Sequence, residues 1–176
     1  MGEVNDVHRK EVAMARKRKG ITQEQLSLEI PVSRESLAKY ETEQRRLPED
    51  LRKCITEGIN DPQLFFKMWS EATGDVSIPF FNGEHIDHHP TSMRYMVNQE
   101  TNEALKQLDT VCWSKPSQTW SEREKEDLKK VTHEILDATG SMMSLVAVLC
   151  DQYDFSMKEI FKYWKVSLRA RKYIKG

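Results

Sequence analysis

The chain has 176 residues, of which 31% are charged and 38% are hydrophobic, and its formal net charge at pH 7 is −1. Seven glycines and six prolines argue against a low-complexity chain and against an all-β protein with many tight turns. The net charge near zero gives no overall indication of nucleic-acid binding, because such domains usually carry a basic surplus.

Neither a membrane protein nor a disulfide or zinc framework is predicted. No apolar run approaches the roughly 20 residues that span a bilayer, and Glu3 and Asp6 stand where a signal peptide would be apolar. Cys54, Cys112 and Cys150 are odd in number and form no Cys-x-x-Cys pair. We therefore expect a cytoplasmic protein with no membrane association.

The first three predicted helices are short and closely spaced. The first ends near Lys19, before Gly20, and the second begins at Thr22. Pro31 ends the second helix and removes the preceding residue from helical geometry, so that this helix stops a residue early. Ser33 is the expected N-cap of the third helix.

Two more helices complete the predicted N-terminal domain, residues 1–74. The fourth begins at Pro48 and is expected to end at Gly58, and the fifth begins at Asp61. Residues 75–91 are predicted to be a linker, in which residues 78–81 form either a short strand or an apolar plug.

The C-terminal domain, residues 92–176, is also predicted to be helical, so the fold class is all-α. Helices are expected from residue 92 to about 113, from 121 to about 153 and from 157 to about 173. Ser121 and Glu124 form a capping-box pattern at the start of the long middle helix.

The long middle helix carries apolar residues spaced alternately three and four apart, a heptad pattern that Gly140 and Ser144 weaken. The residues of this seam are Leu128, Val131, Ile135, Ala138, Met142, Leu145 and Leu149. The pattern suits either dimerisation with a second chain or packing inside a helical bundle.

The final predicted helix has an apolar stripe and a cationic stripe. The cations are Lys158, Lys162, Lys165, Arg169 and Lys172. This helix is either packed with a solvated back or contacts DNA phosphates, an anionic partner or a membrane.

A segment of the N-terminal half resembles a known family. The residues are "RKRKGITQEQLSLEIPVSRESLAKYETEQRR", followed by "LPEDLRKCITEGI". They resemble the helix-turn-helix domain of phage Cro/CI-type repressors, the XRE family, over about residues 7–69. Members of that family usually carry glycine where Pro31 stands.

The third helix has side chains suited to base readout at its N-terminal end. They are Ser33, Arg34, Glu35, Ser36 and Lys39. Arginine can bond guanine with two donors, and glutamate can accept from the amino group of cytosine. The alternative is an ordinary solvated helix face.

The resemblance implies further roles for five residues. Gln23 would contact a phosphate or orient the recognition helix, and Arg16 and Glu41 would form a structural ion pair. Arg45 and Arg46 would meet the DNA backbone from the loop after the third helix.

Two other classes of site are weakly indicated at most. His85 and His89 lie in a polar segment that is either a metal site or, by default, a linker. No phosphate-binding glycine loop, Gly-x-Ser-x-Gly or His-Glu-x-x-His motif is present, so neither an enzyme nor a cofactor is expected.

These features predict a DNA-binding transcriptional regulator that acts as a homodimer on a double-stranded operator, in the setting of a phage or mobile-element repressor. The C-terminal domain would provide dimerisation, or binding of a partner or effector such as a protein antirepressor. The alternatives are an antitoxin or anti-host protein, whose C-terminal helices bind a toxin or host factor, and a metal- or ligand-responsive switch.

Overall fold

The computed structural model of the chain describes residues 3–42 and 44–175, and from residue 10 onward it also describes the side chains. This part of the chain contains eight α-helices, one short 3-10 helix at Ser117–Thr119 and no β-strand, which confirms the all-α prediction. The helices are α1 Glu3–Arg18, α2 Gln23–Glu29, α3 Arg34–Glu41, α4 Glu49–Ile59, α5 Pro62–Ala72, α6 Pro90–Asp109, α7 Glu122–Gln152 and α8 Met157–Ala170.

Local side-chain caps start the helices of the N-terminal part. Thr22 and Gln25 form a reciprocal capping box at α2. The hydroxyl of Ser33 accepts from the backbone of α3, and the carboxylate of Asp61 accepts from the backbone N–H of Leu64 in α5 at 2.8 Å. These bonds satisfy N–H groups that a helix leaves unpaired at its start.

Helices α1 to α5 enclose one hydrophobic core. Its buried members come from every one of these helices and from the turns between them: Val12, Ala15, Leu26, Ile30, Val32, Leu37, Tyr40, Leu47, Ile55, Ile59 and Leu64. Leu26, Leu37 and Leu64 are completely buried. Apolar burial of this extent is the main source of stability for a group of short helices.

Gly58 does not end α4, contrary to the sequence prediction. The helix continues to Ile59 and closes at Asn60, which has the left-handed φ of 52°. A Cβ atom added to Gly58 would lie 2.8 Å from the Cγ2 of Ile30. Glycine is therefore used here because α4 approaches the α2 side closely, and not because the helix stops.

The segment between α5 and α6 packs as an apolar plug and forms no strand within the described residues. The ring of Phe80 lies 5.9 Å from that of Phe66 in α5, centroid to centroid. The backbone N–H of Phe81 donates to the hydroxyl of Ser144 at 3.0 Å. A Cβ atom on Gly140 would lie 2.6 Å from the Phe81 ring, so the small residues of α7 provide the space for this plug.

Helices α6 and α7 form a hairpin, the most extensive helix pairing in the described structure. The predicted capping box of Ser121 and Glu124 is confirmed at the start of α7. A hydrogen bond from Lys115, assisted by Ser121, lowers the pKa of Glu124 to about 2. With 31 residues, α7 is about 46 Å long.

A second cluster joins α5, α7 and α8. Its buried residues are Phe66, Ala147, Cys150 and Met157. Met157 is the only buried residue of α8, a helix of 14 residues, so this helix is held mainly at its first turn. The division of the chain at residue 74 into two domains stays a prediction.

None of the described helices combines the length and the apolar character needed to cross a membrane.

Candidate nucleic-acid interface

Helix α3 is fixed in place through its inner face and its N-cap. Leu37 is fully buried and Tyr40 is 5% exposed. The Ser33 hydroxyl accepts from the backbone N–H of Ser36 at 3.2 Å and donates to the Ser36 hydroxyl at 3.1 Å. Ser33 is thus the N-cap of α3, as predicted, and the contact of Ser33 and Ser36 with DNA stays a prediction.

The opposite face of α3 is polar and open to solvent. Arg34, Glu35 and Lys39 are exposed, and no described residue forms a salt bridge with Arg34 or Lys39. Its own backbone N–H and the neighbouring Ser33 hydroxyl lower the pKa of Glu35. Glu35 is therefore a charged acceptor at neutral pH, with Arg34 as a forked donor beside it.

One carboxylate ties the first three helices together. Glu41, at the end of α3, accepts from Nε and Nη2 of Arg16 at 2.8 Å each and from Nε2 of Gln23 at 2.9 Å. A further guanidinium nitrogen of Arg16 donates to the carbonyl of Ile21 at 2.7 Å. The side chains of Arg16 and Glu41 are only 11% and 5% exposed. The network sets the orientation of α3 relative to α1 and α2, and Gln23 is placed where it supports that orientation.

The electrostatics of this network favour the charged state of both partners. Burial raises the pKa of Glu41, but the hydrogen bonds from Arg16 and Gln23 outweigh it, so the pKa lies below its ordinary value. The same hydrogen bond raises the pKa of Arg16. Bidentate arginine–carboxylate pairs are strong and geometrically specific, which suits a contact that fixes a helix angle.

A second arginine pair was missed by the sequence analysis. Arg18 donates to the two carboxylate oxygens of Asp61 at 2.7 and 3.0 Å, and the same carboxylate caps α5. The pair joins the end of α1 to the start of α5. In sequence, Asp61 is recognisable only as the start of a helix, because nothing local relates it to a residue 43 positions away.

The turn between α2 and α3 follows the path that Pro31 predicts. Ile30 has extended angles, φ −124° and ψ 154°, so α2 ends at Glu29, as expected from the proline. The backbone N–H of Val32 donates to the carbonyl of Ile30 at 2.7 Å, across the proline. A three-residue turn of this kind accepts proline in its centre, because the ring fixes φ near the required value.

The structure brings Arg34 next to the start of α2. Arg34, Gln23 and Lys17 line one open cleft between α1, α2 and α3, together with Gly20 and Thr22. Lys17 was not among the predicted site residues, although it belongs to a basic segment that the sequence shows directly. The cleft is also lined by Arg16, which is paired with Glu41, and by the carboxylate of Glu24, so that Lys17 and Arg34 are its two cations outside the Arg16–Glu41 network.

The loop after α3 carries Arg45 and Arg46, the two remaining cations that are predicted to contact DNA. Both are exposed. The guanidinium of Arg45 lies 5.7 Å from the centre of the Tyr40 ring, and its backbone N–H donates to the carbonyl of Lys39 at 3.1 Å. Arg46 lies 3.9 Å from a carboxylate oxygen of Glu49, a long and exposed pair. Both side chains are free to move toward an anion at little cost.

The predicted seam of α7 is divided by the packing of the hairpin. Val131 and Ala138 are buried, whereas Ile135 and Met142 are 40% and 43% exposed. The remaining members, Leu128, Leu145 and Leu149, are half-buried. Between Val131 and Met142 the seam therefore alternates between buried and exposed residues.

The two histidines considered as metal ligands have separate positions. His89 is the N-cap of α6, where its Nδ1 accepts from the backbone N–H of Thr91, and His85 is exposed in the preceding segment. In the part of the chain that is described, no three His, Cys, Asp or Glu side chains are arranged to hold a metal ion.

Comparison with known proteins supports the N-terminal assignment. Residues 12–51 match the family model described as Helix-turn-helix, a segment that runs from within α1 to the first turn of α4 and includes the Pro31 turn. No curated protein and no solved structure gives a match to the chain. Proteins of this family have a DNA-binding regulator fold and are not typically enzymes. The match therefore supports the function of a DNA-binding transcriptional regulator. Residues 12–51 thus match an XRE-type helix-turn-helix, as the sequence indicates.

Proposed function

We propose that the protein is a sequence-specific transcriptional repressor that binds a two-fold operator as a homodimer, with α3 as the recognition helix. The observation that carries this proposal is the division of α3 into two faces. Leu37, Tyr40 and Glu41 hold the helix, while Arg34, Glu35 and Lys39 are exposed on the other side. Helix-turn-helix proteins place such an exposed face in the major groove.

In this proposal, some of the exposed residues contact bases and others contact phosphates. Arg34 would bond guanine, and Glu35 would accept from a cytosine amino group. Lys17 in the cleft and Arg45 and Arg46 in the loop would meet phosphates, which fix the register of the protein on DNA. Ser33 and Ser36 serve mainly as the cap.

Dimerisation is proposed through the α6–α7 hairpin. One helix-turn-helix contacts a short half-site, and a two-fold operator is matched by a two-fold dimer. Ile135 and Met142 leave apolar surface exposed at heptad spacing, which a second hairpin would cover in a four-helix bundle. The resemblance to phage repressors suggests a phage or mobile element as the setting, with a protein antirepressor as the inducing partner.

The recognition helix is tested by Arg34→Ala and Lys39→Ala in binding titrations against operator fragments selected from the source genome. Each variant should weaken specific binding by about 1–3 kcal/mol, the value of one base-reading contact. Arg94→Ala, an exposed arginine of α6, is the matched control and should bind like the unmodified protein. Unchanged affinity in both α3 variants would rule out this placement of the recognition helix.

The dimer is tested by sedimentation of the double variant Ile135→Glu, Met142→Glu. It should be monomeric and bind the operator weakly, because charges would enter the proposed interface. Leu136→Glu is the control, since this residue is 49% exposed and lies next to the seam but outside it. A double variant that remains dimeric would exclude the hairpin as the interface.

The second candidate function is an antitoxin or anti-host protein whose C-terminal helices bind a toxin or host factor. It is favoured by the exposed aromatic residues of α8, Tyr163 at 68% and Trp164 at 50%. Exposed aromatic residues are common anchors of protein interfaces. A stoichiometric protein that copurifies with the chain, and is lost in Tyr163→Ala, Trp164→Ala, would favour this function over an autonomous repressor.

A further inference from the structure

An apolar groove lies between α5, α7 and α8. Its walls are Phe65 and Trp69 of α5, Met143 of α7, and Phe161 and Val166 of α8, and Met157 lies at its inner end. The groove has a volume of about 640 Å³, within the range of sites that hold small molecules. Because α8 is buried only at Met157, the groove opens toward the C-terminal end of this helix.

Four cations of α8 border the groove, and they are not equivalent. At the inner end, Lys158 lies 2.8 Å from a carboxylate oxygen of Glu57, and Lys162 lies 3.4 Å from one of Glu159. At the outer end, neither Lys165 nor Arg169 forms an ion pair with any residue that the structure describes. The uncompensated positive charge is therefore concentrated where the apolar groove meets solvent.

We propose that this groove binds a free single-chain fatty acid. The aliphatic tail would lie along Phe65, Trp69 and Phe161, and the carboxylate would be held at the outer end by Lys165 and Arg169. Burial of the tail supplies most of the binding free energy, and the two cations set the orientation of the ligand. The site is separate from α3, so its occupancy is measured without DNA and does not depend on the proposed operator binding.

The distribution of charge favours this occupant over two others. An acidic helix would need free cations along the whole groove, whereas Lys158 and Lys162 already have carboxylate partners. A membrane surface would need its apolar contacts on an outward face, whereas Phe65, Phe161 and Met143 form the walls of a recess and are only partly exposed. A ligand with one long tail and one anionic head matches both the recess and the pair of free cations.

The test is isothermal titration of the full chain with monomeric laurate, decanoate and dodecyltrimethylammonium, each below its micelle concentration. Laurate should bind at one site per chain. Decanoate should bind roughly fifteenfold more weakly, because each of its two missing CH₂ groups contributes about fourfold. The cationic amphiphile should show no saturable binding, since Lys165 and Arg169 would repel its head.

Charge-reversal variants locate the head. The double variant Lys165→Glu, Arg169→Glu should lower laurate affinity at least tenfold, and Lys172→Glu, Lys175→Glu, which changes the net charge equally near the same end of the chain, should bind like the unmodified protein. Val166→Asp, at a position 55% exposed, tests the groove without disturbing the core and should also abolish binding. Circular dichroism should show the same helix content in all three.

Three results would each overturn the proposal. They are no saturable binding of laurate, equal affinities for laurate and decanoate, and an equal loss of laurate affinity in the Lys165→Glu, Arg169→Glu and Lys172→Glu, Lys175→Glu double variants. Binding to phosphatidylglycerol vesicles without binding of monomeric laurate would also overturn it, and would assign the groove to a lipid surface.

Discussion

The helices before residue 74 and the helices after residue 90 bury their apolar residues in different ways. The N-terminal helices enclose large side chains completely, among them Leu26, Leu37 and Leu64. The buried positions of α7 are mostly small, such as Gly140, Ser141, Ser144 and Ala147, and α8 buries only Met157. Several large apolar residues of the second region remain exposed, among them Tyr163 and Trp164, although Met93 and Val131 are buried. The first region also depends on the second, because Phe66 of α5 is buried against α7 and α8. What distinguishes the second region is the apolar surface that it leaves for other molecules to cover.

The largest expected effect lies in the network that fixes the N-terminal region. Glu41→Gln should reduce the free energy of unfolding by about 3 kcal/mol, because Arg16 would keep its charge in a nearly buried site without a counter-charge. Chemical denaturation measures this loss. The control is Glu29→Gln at the exposed end of α2, where no significant change is expected. Equal stability of the two variants would mean that the core alone holds this region.

The same pair gives a dependence on pH with a definite sign. The pKa of Glu41 in the folded protein lies below its ordinary value of 4.5. Its charge therefore stabilises the fold above pH 4.5, and this contribution is lost as the pH falls through the lowered pKa. The difference in unfolding free energy between the unmodified protein and Glu41→Gln should shrink below pH 4.5. Other groups, such as Glu71, titrate in both proteins, so their contributions cancel in this difference. A difference that stays constant from pH 7 to pH 3 would contradict the assignment.

A smaller loss is expected where the plug meets α7. Gly140→Ala should destabilise the protein by about 1–3 kcal/mol, because the new Cβ would overlap the ring of Phe81. This would occur although alanine is the better helix former. Hydrogen exchange should become faster in residues 78–82 and in the middle of α7, but not in α2 and α3.

The matched control for this change is Gly83→Ala, where a Cβ would lie at an ordinary distance of 3.7 Å from Ile86. Faster exchange in α2 and α3 of the Gly140→Ala protein would show that the two regions unfold together, and would remove the distinction between them.

The smallest effect is expected at the turn before α3. Pro31→Gly should lower the free energy of unfolding by about 0.4–1 kcal/mol, chiefly through the greater freedom of the unfolded chain. Operator affinity should change little, because Arg16, Gln23 and Glu41 set the direction of α3. Thermal unfolding and a binding titration measure the two quantities. A tenfold loss of affinity would show that the proline, and not the network, positions the recognition helix.

The features that could be predicted from sequence depend on neighbouring residues. Ser33 and Ser121 are predicted capping residues that the structure confirms, because a cap is formed within one helical turn. Thr22, predicted as the start of the second helix, is the N-cap of α2. The early end of α2 follows from proline geometry in the same way.

The features that could not be predicted depend on distant parts of the chain. Gly58 resembles a helix end in sequence, but the structure needs a residue without a side chain there because Ile30 lies close to it. Gly140 weakens a heptad seam in sequence, but it leaves the space that the ring of Phe81 occupies. The pairing of Arg18 with Asp61 is of the same kind. No local spacing encodes such contacts, because they are set by how closely separate elements approach.

The division of α3 into two faces also affects which of its residues can be substituted in related chains. The residues that hold the helix, Leu37 and Tyr40, are distinct from Arg34 and Lys39, which make no described salt bridge and are not buried. Substitutions at exposed positions without structural partners usually change stability by less than about 0.5 kcal/mol. Under the proposal that α3 is the recognition helix, related chains can exchange these outward residues, and with them the preferred DNA sequence, without first acquiring compensating changes in the core.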